Sequence, residues 1–397
     1  MLAILQRVRP EKRDTAVYGF EALLTATASL GMPMNPLRVA FDVGPLAGPR
    51  TGVGHAVAAM RDSLVEVGDI ELDQYIVSFR SRPPSGTRRL PLPAVVAHRL
   101  WAVADRPRVD RFLGAPDVVH GTNYVVPPCR APQVVSVYDC WFLRHPTLSN
   151  GAVHQAGRVL RRAVERGATV HASSASTAAE IADLFPGAHV ATIPLAAVPI
   201  PEAASDPPIP ALVGRPFIAA IGTLERRKNL PILIEAFGLL ASEHDEILLV
   251  LSGTDGDDRP AINGAIDALD PAAARRVVMT GRIDESARSW LLRNAAVLAY
   301  PSLDEGFGFP LLDAMQVGVP IAASNRGSIP EVCGPAGLLC DADDAIALAA
   351  NLATAAFDDH VRTQLLAAAT AQLATFSWQR CATELAALYR SLAGGRS

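Results

Sequence analysis

Two acids and two cations stand where apolar runs of this chain end. Glu305 and Asp313 are eight positions apart in the run Y-P-S-L-D-E-G-F-G-F-P-L-L-D-A-M-Q-V-G, from Tyr300 to Gly318. Gly306 and Gly308 let backbone approach a ligand closely. Pro310 suits the first turn of a helix, so residues 302–309 lead into a helix N-terminus, whose free N–H groups favour anions. A carboxylate there is a poor holder of phosphate and a good acceptor of sugar hydroxyls; a helix-capping glutamate is the plainer reading. Arg227 and Lys228 lie in G-T-L-E-R-R-K-N-L, from Gly222 to Leu230. Pro231 marks the first turn of a helix over 230–240 that Asn229 can cap. Two cations beside free N–H groups suit a diphosphate. Taken alone, solvated surface charge is an equal reading.

The positioning elements are legible as apolar runs. Residues 295–300 read as a strand buried on both faces. Leu311, Leu312 and Met315 share one helical face, Gly318 is a C-cap, and 319–323 is the next strand. Strands are also predicted over 37–43, 133–137, 169–174, 216–221, 247–251 and 277–280. Helices are predicted over 56–67, 152–166 and 378–392. Both charged loops thus fall where a strand's carboxyl end meets a helix N-terminus, which is where open α/β sheets bind ligands.

With 397 residues the chain is long enough for two cores. The reading is an extension over 1–36, a first domain over 37–200, a linker over 201–215, a second domain over 216–377 and a last helix in 378–397. Seven prolines between Pro194 and Pro216 mark the linker. Half of the residues are hydrophobic and the net charge is −4, which suggests neither nucleic acid nor an acidic partner. Five cysteines without C-x-x-C spacing fit reduced thiols in a cytoplasmic enzyme. Arg7, Arg9, Lys12 and Arg13 before an apolar stretch superficially suggest a secretion signal, but Glu21 interrupts it and it is short for a span. Residues 1–33 read as an over-long start, with a membrane-surface helix as the rival.

The segment Glu305 to Asp313 resembles the E-x7-E motif of GT4-type retaining glycosyltransferases, with aspartate where that family usually has glutamate. The run Gly222 to Asn229 resembles the family's G-T-L-x-x-R-K-N. The resemblance implies that Arg227 and Lys228 hold a donor diphosphate beside Gly222 and Thr223. It implies that Glu305, Gly306, Phe307 and Gly308 orient the sugar, that Asp313 meets the ribose, and that Gly281 and Ile283 hold the base through backbone. The glycine loop Gly44 to His55 is either a phosphate cradle or a tight turn; the resemblance puts Gly52, Gly54 and His55 near donor or acceptor. Tyr138-Asp139 stands where the family has His-Asp. Asp139 and His120 are therefore candidate catalytic groups, each with a structural hydrogen bond as the plainer role. Residues 324–332, with Pro330-Glu331, match the family's next loop.

The implied fold is GT-B, two doubly wound Rossmann-like α/β domains facing across a cleft, with the last helix packed back on the first. The implied reaction moves a hexosyl unit, mannosyl- or rhamnosyl-like, from a nucleotide-diphosphate sugar to a saccharide or lipid-linked acceptor. It would proceed with retention and without cofactor or metal. Asp255-Gly-Asp257 and Asp341-Ala-Asp343 read as turn and capping acids rather than metal ligands. The alternatives are a nucleotide-sugar-binding protein with little turnover and a GT-B-fold sugar-nucleotide epimerase. The expected location is cytoplasmic, with or without contact at the inner membrane face. Arg158, Arg161 or Arg162, and Arg166 share a helix face that is either solvated or directed at anionic lipid.

Overall fold

The computed structural model describes residues 36–48, 51–78, 81–148 and 151–395. The expected extension lies outside these residues except for Pro36. The first sheet contains β1 (Leu37–Asp42), β2 (Ile70–Ile76), β3 (Arg88–Arg89), β4 (Val118–Gly121), β5 (Gln133–Val137), β6 (Thr169–Ala172) and β7 (His189–Thr192). The second contains β8 (Phe217–Ile221), β9 (Leu248–Ser252), β10 (Val277–Gly281), β11 (Val297–Tyr300), β12 (Ile321–Ser324) and β13 (Gly337–Cys340). The described helices of eight residues or more are α1 (Gly52–Glu66), α2 (Ala94–Trp101), α3 (Gly151–Glu165), α4 (Ala175–Leu184), α5 (Leu230–Ala241) and α6 (Arg259–Asp267). They continue as α7 (Glu285–Asn294), α8 (Phe309–Val317), α9 (Ala345–Phe357), α10 (Asp359–Leu373) and α11 (Trp378–Gly394).

Both sheets are doubly wound. The strand orders are β3-β2-β1-β4-β5-β6-β7 and β10-β9-β8-β11-β12-β13. β1 pairs parallel to β4, and β8 pairs parallel to β9 and β11. In each sheet the winding reverses beside the first strand, between β1 and β4 and between β8 and β11. The loops leaving those two strands diverge and open a crevice at the carboxyl edge. The sequence builds such strands because helices cover both faces, so residues at every position must be apolar or small. L-L-V-L-S in β9, V-L-A-Y in β11 and I-A-A-S in β12 are buried throughout. One core packs Leu233 and Phe237 of α5 against Leu249, Leu251 and Val297, with Leu348 and Leu352 of α9. The other gathers Trp101, Val135, Leu160, Val170 and Ile181.

Local signals decide how each charged loop is held. Gly308 lies in the left-handed region at φ 86°, Pro310 follows in the first turn of α8, and Gly318 ends that helix at φ 73°. Leu311, Leu312 and Met315 are buried. Asn229 does not cap α5 as expected. Its backbone is itself left-handed, and its amide donates to the carbonyls of Pro301 (3.2 Å) and Ala342 (2.7 Å), which ties three loops together. Within residues 81–93 only Arg88 and Arg89 are strand, adding edge strand β3 in register with Tyr75 and Ile76.

The last helix lies on the first domain. Ser377 caps it and the Trp378 indole donates to the carbonyl of Ala197 (2.8 Å). Cys381, Leu385 and Tyr389 are buried where α11 meets α1 and β4. Arg390 pairs with Asp69 at 2.6 Å.

Candidate functional site

The crevice between β8 and β11 is lined by Gly222, Thr223, Lys228, Tyr300, Pro301 and Ser302. Both charged loops meet there. Arg227 Nη1 donates to Glu305 Oε2 at 2.7 Å, and Lys228 Nζ donates to Glu305 Oε1 at 2.5 Å. The other arm of Arg227 reaches Glu225 at 2.8 Å, while Lys228 lies over the Tyr300 ring, 5.0 Å from its centre. Glu305 is only 5% exposed. Burial pushes its carboxyl up, but Lys228 and then Arg227 outweigh that and hold it near 2. Glu305 is therefore a carboxylate at any working pH. It can accept hydrogen bonds and cannot act as a proton donor.

The loop after β11 also touches the first domain. A Cβ on Gly306 would stand 1.4 Å from the Tyr138 carbonyl oxygen and 2.9 Å from Asp139 Cα, so only glycine lets these backbones meet. Ser173 and Thr177 hydroxyls each donate to the carbonyls of both Tyr138 and Gly306 at 3.2 Å. Glu331 accepts from the Ala175 N–H, at 2.9 Å to one oxygen, and from that of Ser176, capping first-domain helix α4 from the second domain. Asp139 is thereby brought beside the cluster. Burial raises its carboxyl and the Arg227 charge opposes the rise. Asp304 rises to about 7, chiefly through burial and then through the nearby carboxylates of Glu180 and Asp139.

Asp313 lies on α8 facing α7, where it is bonded to Arg288, and Arg288 also reaches Glu285 at 3.7 Å. Burial raises the Asp313 carboxyl against the opposing Arg288 charge. Gly52 opposes Phe309, 3.7 Å from where its Cβ would lie, so the first turn of α1 faces the start of α8. Thr51 caps that turn by accepting from the Gly54 N–H. Gly222 sits under Lys228 on their common loop, and Thr223 is exposed beside it. Phe307 is buried edge-on against Phe309 and Phe376. Gly281 is exposed at the end of β10 and Ile283 is half-buried just beyond, on the same carboxyl edge but two strands away.

His120 takes the plainer of its two expected roles, the structural hydrogen bond, and not the catalytic one. It has no exposed surface and both ring nitrogens are engaged inside the first domain: Nδ1 with Tyr389 Oη at 2.6 Å and Nε2 with Ser136 Oγ at 2.8 Å. Ser136 Oγ also meets His171 Nδ1 at 2.9 Å, and His171 Nε2 meets the Ile193 carbonyl at 3.0 Å. A carbonyl only accepts, so His171 carries its proton on Nε2. Ser136 then donates to His171, His120 donates to Ser136, and Tyr389 donates to His120. The chain runs one way and keeps both imidazoles neutral. Burial pushes His120 well below its ordinary range and His171 down to about 4. His120 thus fastens α11 to the sheet instead of reaching the cleft. Tyr138, in the neighbouring position, is also buried and donates to the Thr122 carbonyl at 2.7 Å.

Sequence reading missed Arg288, Glu225 and the bridging role of Glu331. Glu225 stood inside the run that drew attention to Arg227, and Glu331 inside the loop over 324–332; Arg288 carried no local signal. Three acids of the two D-x-D pairs have partners within the chain. Asp255 pairs with Arg259 at 2.5 Å, Asp257 accepts from the Arg226 N–H at 3.0 Å, and Asp341 accepts from Asn325 at 2.8 Å.

Residues 204–372 match the family model described as glycosyl transferases group 1. The chain is 27% identical over 392 residues to O-antigen chain mannosyltransferase B of Escherichia coli, covering 90% of this chain and all of that one. Its fold is similar to that of sucrose-phosphate synthase from Thermosynechococcus elongatus, with TM-score 0.69 at 19% identity over 91% of this chain and 100% of the other. It is also similar to WaaG, a glycosyltransferase involved in lipopolysaccharide biosynthesis, with TM-score 0.64 at 15% identity over 89% and 99% of the two chains. Two doubly wound domains and these likenesses identify the GT-B fold, and residues 204–372, which carry the charged crevice, match the group 1 glycosyltransferases.

Proposed function

We propose that the protein transfers a hexosyl unit, mannosyl by its likeness to an O-antigen mannosyltransferase, from a nucleotide-diphosphate sugar to a saccharide or lipid-linked saccharide hydroxyl. The observation that carries this reading is the Arg227–Glu305–Lys228 cluster at the switch point of the second sheet. Charge grows on the departing diphosphate as the glycosidic bond breaks. Arg227, Lys228 and the N-terminus of α8 are the groups available to neutralise it. Glu305, held as a carboxylate, would orient the sugar through its hydroxyls, and Asp313 with Arg288 would meet the ribose. Two cations at the leaving group supply what a divalent ion supplies elsewhere, so activity should survive chelation. Retention follows the E-x7-E resemblance. The test is a thermal-shift panel of GDP-, UDP-, ADP- and dTDP-sugars, then turnover with the best binder in the presence of EDTA, with the product's anomeric configuration read by NMR. Transfer with retention supports the proposal. Binding without transfer or hydrolysis would favour a nucleotide-sugar-binding protein, and donor isomerisation without acceptor would favour an epimerase.

A further inference from the structure

The loop that carries Glu305 is gripped from two sides. Within the second domain, the Ser328 N–H donates to the Glu305 carbonyl at 2.9 Å. A Cβ on Gly327 would lie 2.6 Å from the Glu305 backbone nitrogen and oxygen, and Gly327 is left-handed at φ 55°, so only glycine allows this approach. From the first domain, the Ser173 and Thr177 hydroxyls hold the Gly306 carbonyl. The same two hydroxyls hold the carbonyl of Tyr138, which precedes Asp139. Where the Glu305 loop stands against Asp139 therefore depends on how these two supports are set against each other.

Glu331 joins them. It follows Ser328 in the short helix Ile329–Cys333, which is fixed from behind by buried Ile329, Val332 and Cys333. Gln372 Nε2 adds donations to the Glu331 and Val332 carbonyls, each at 3.1 Å. The Glu331 carboxylate crosses to the first domain. One oxygen accepts from the Ala175 N–H at 2.9 Å and from that of Ser176 at 3.4 Å, and the other from Ala175 at 3.1 Å. Ser174 takes the next N–H, that of Thr177, at 3.0 Å. The first turn of α4 is thus satisfied jointly by its own cap and by the other domain. Glu305, Ser328, Glu331, the start of α4 and Gly306 close a ring of bonds, and its charge-assisted link is the one at Glu331. That side chain is exposed, so it can be changed without emptying a core.

We propose that Glu331 is a positioning residue for glycosyl transfer: by capping α4 across the domain boundary it sets Asp139 and the Glu305 loop against each other. The role rests on the transfer reading above. The donor diphosphate is assigned to groups of the second domain, Arg227, Lys228 and the start of α8, so its binding does not pass through the ring. An acceptor hydroxyl has to arrive from the face opposite the ion cluster, where Asp139 lies. Misplacing that face costs rate at the transfer step and leaves donor affinity alone.

The test uses Glu331→Ala and, on the other arm of the ring, Ser173→Ala with Thr177→Val, all in the full chain. Hydrogen exchange read by mass spectrometry follows the ring without turnover. In Glu331→Ala, residues 173–178 and with them 303–309 should exchange about two- to thirtyfold faster, the factor that a lost helix cap brings. The double variant should loosen 303–309 as well. Glu331→Gln, which keeps an accepting oxygen without the charge, should fall between parent and Glu331→Ala. Calorimetric affinity for the nucleotide diphosphate should stay parental throughout. At saturating donor, transfer to the acceptor should fall by about tenfold or more while hydrolysis of the donor by water holds. Three results would overturn the assignment. One is unchanged exchange over 303–309 in Glu331→Ala. Another is parental transfer in that variant. The third is an equal loss of transfer, hydrolysis and diphosphate affinity, which would make Glu331 a general support of the fold. A parent chain that transfers to no acceptor, with the ring still seen by exchange, would instead overturn the transfer reading and leave Glu331 a clamp between domains, so the two failures differ.

Discussion

The two sheets share a strand order and a switch point, yet the strands and loops beside those switch points carry opposite chemistry. In the second domain the loops after β8 and β11 carry Arg227, Lys228 and Glu305, an ion cluster at the edge of open space. In the first, β4, β5 and β6 carry His120, Ser136 and His171, a neutral chain capped by Tyr389 of the last helix. Topology supplies a crevice in both. What makes one a site is charge at the strand ends that burial has not neutralised.

That contrast can be broken by removing one member from each cluster. The largest effect is expected for Arg227→Met, which leaves Glu305 buried with a single cation. Breaking a buried pair costs about 3–5 kcal/mol, seen as a lowered denaturation midpoint together with lost donor binding. A variant as stable as the parent would show that the cluster is not coupled to the fold. Next comes acid. His171 is lowered from 6.5 to about 4 in the folded chain, so the unfolded chain binds more protons between those values. Stability is whole above about pH 6.5 and falls as pH drops towards 4, by an amount on the order of 3 kcal/mol. Melting temperatures across that range check it; a flat profile would contradict the neutral chain. The smallest effect is expected for Tyr389→Phe, which deletes the donor to His120 Nδ1. It should cost about 1 kcal/mol of stability and leave turnover at saturating donor unchanged. A fall in turnover would mean that the first-domain chain takes part in the reaction after all.

The sequence was most informative where function and local chemistry coincide. Apolar runs such as 297–300 and 321–324 show the second sheet because a strand covered on both faces has no room for polar residues. Gly306, Gly308 and Pro310 announced a loop entering a helix because only those types tolerate the backbone required there. Arg227, Lys228 and Glu305 were legible as candidates, but not as one cluster, since 77 and 78 positions separate the bonded pairs. His120 was open to both a catalytic and a structural role because a histidine at a strand's end looks the same whether its partners are substrate or Ser136 and Tyr389, the latter 269 positions away. Asn229 has a capping residue's type, but its amide found two distant carbonyls instead.

In the proposed reaction the ion cluster holds a donor diphosphate while its carboxylate faces the sugar. The most direct measurement compares calorimetric affinity for the nucleotide diphosphate with turnover at saturating donor in Lys228→Ala and Glu305→Gln. A charge-assisted hydrogen bond is worth about 1.5–3 kcal/mol, or about ten- to more than a hundred-fold. Lys228→Ala should weaken the diphosphate by that factor and lower turnover as well. Glu305→Gln should bind the diphosphate at least as tightly, because an amide draws less on the two cations, while its turnover falls by the same factor. Unaltered diphosphate affinity in Lys228→Ala, or parental turnover in Glu305→Gln, would contradict it.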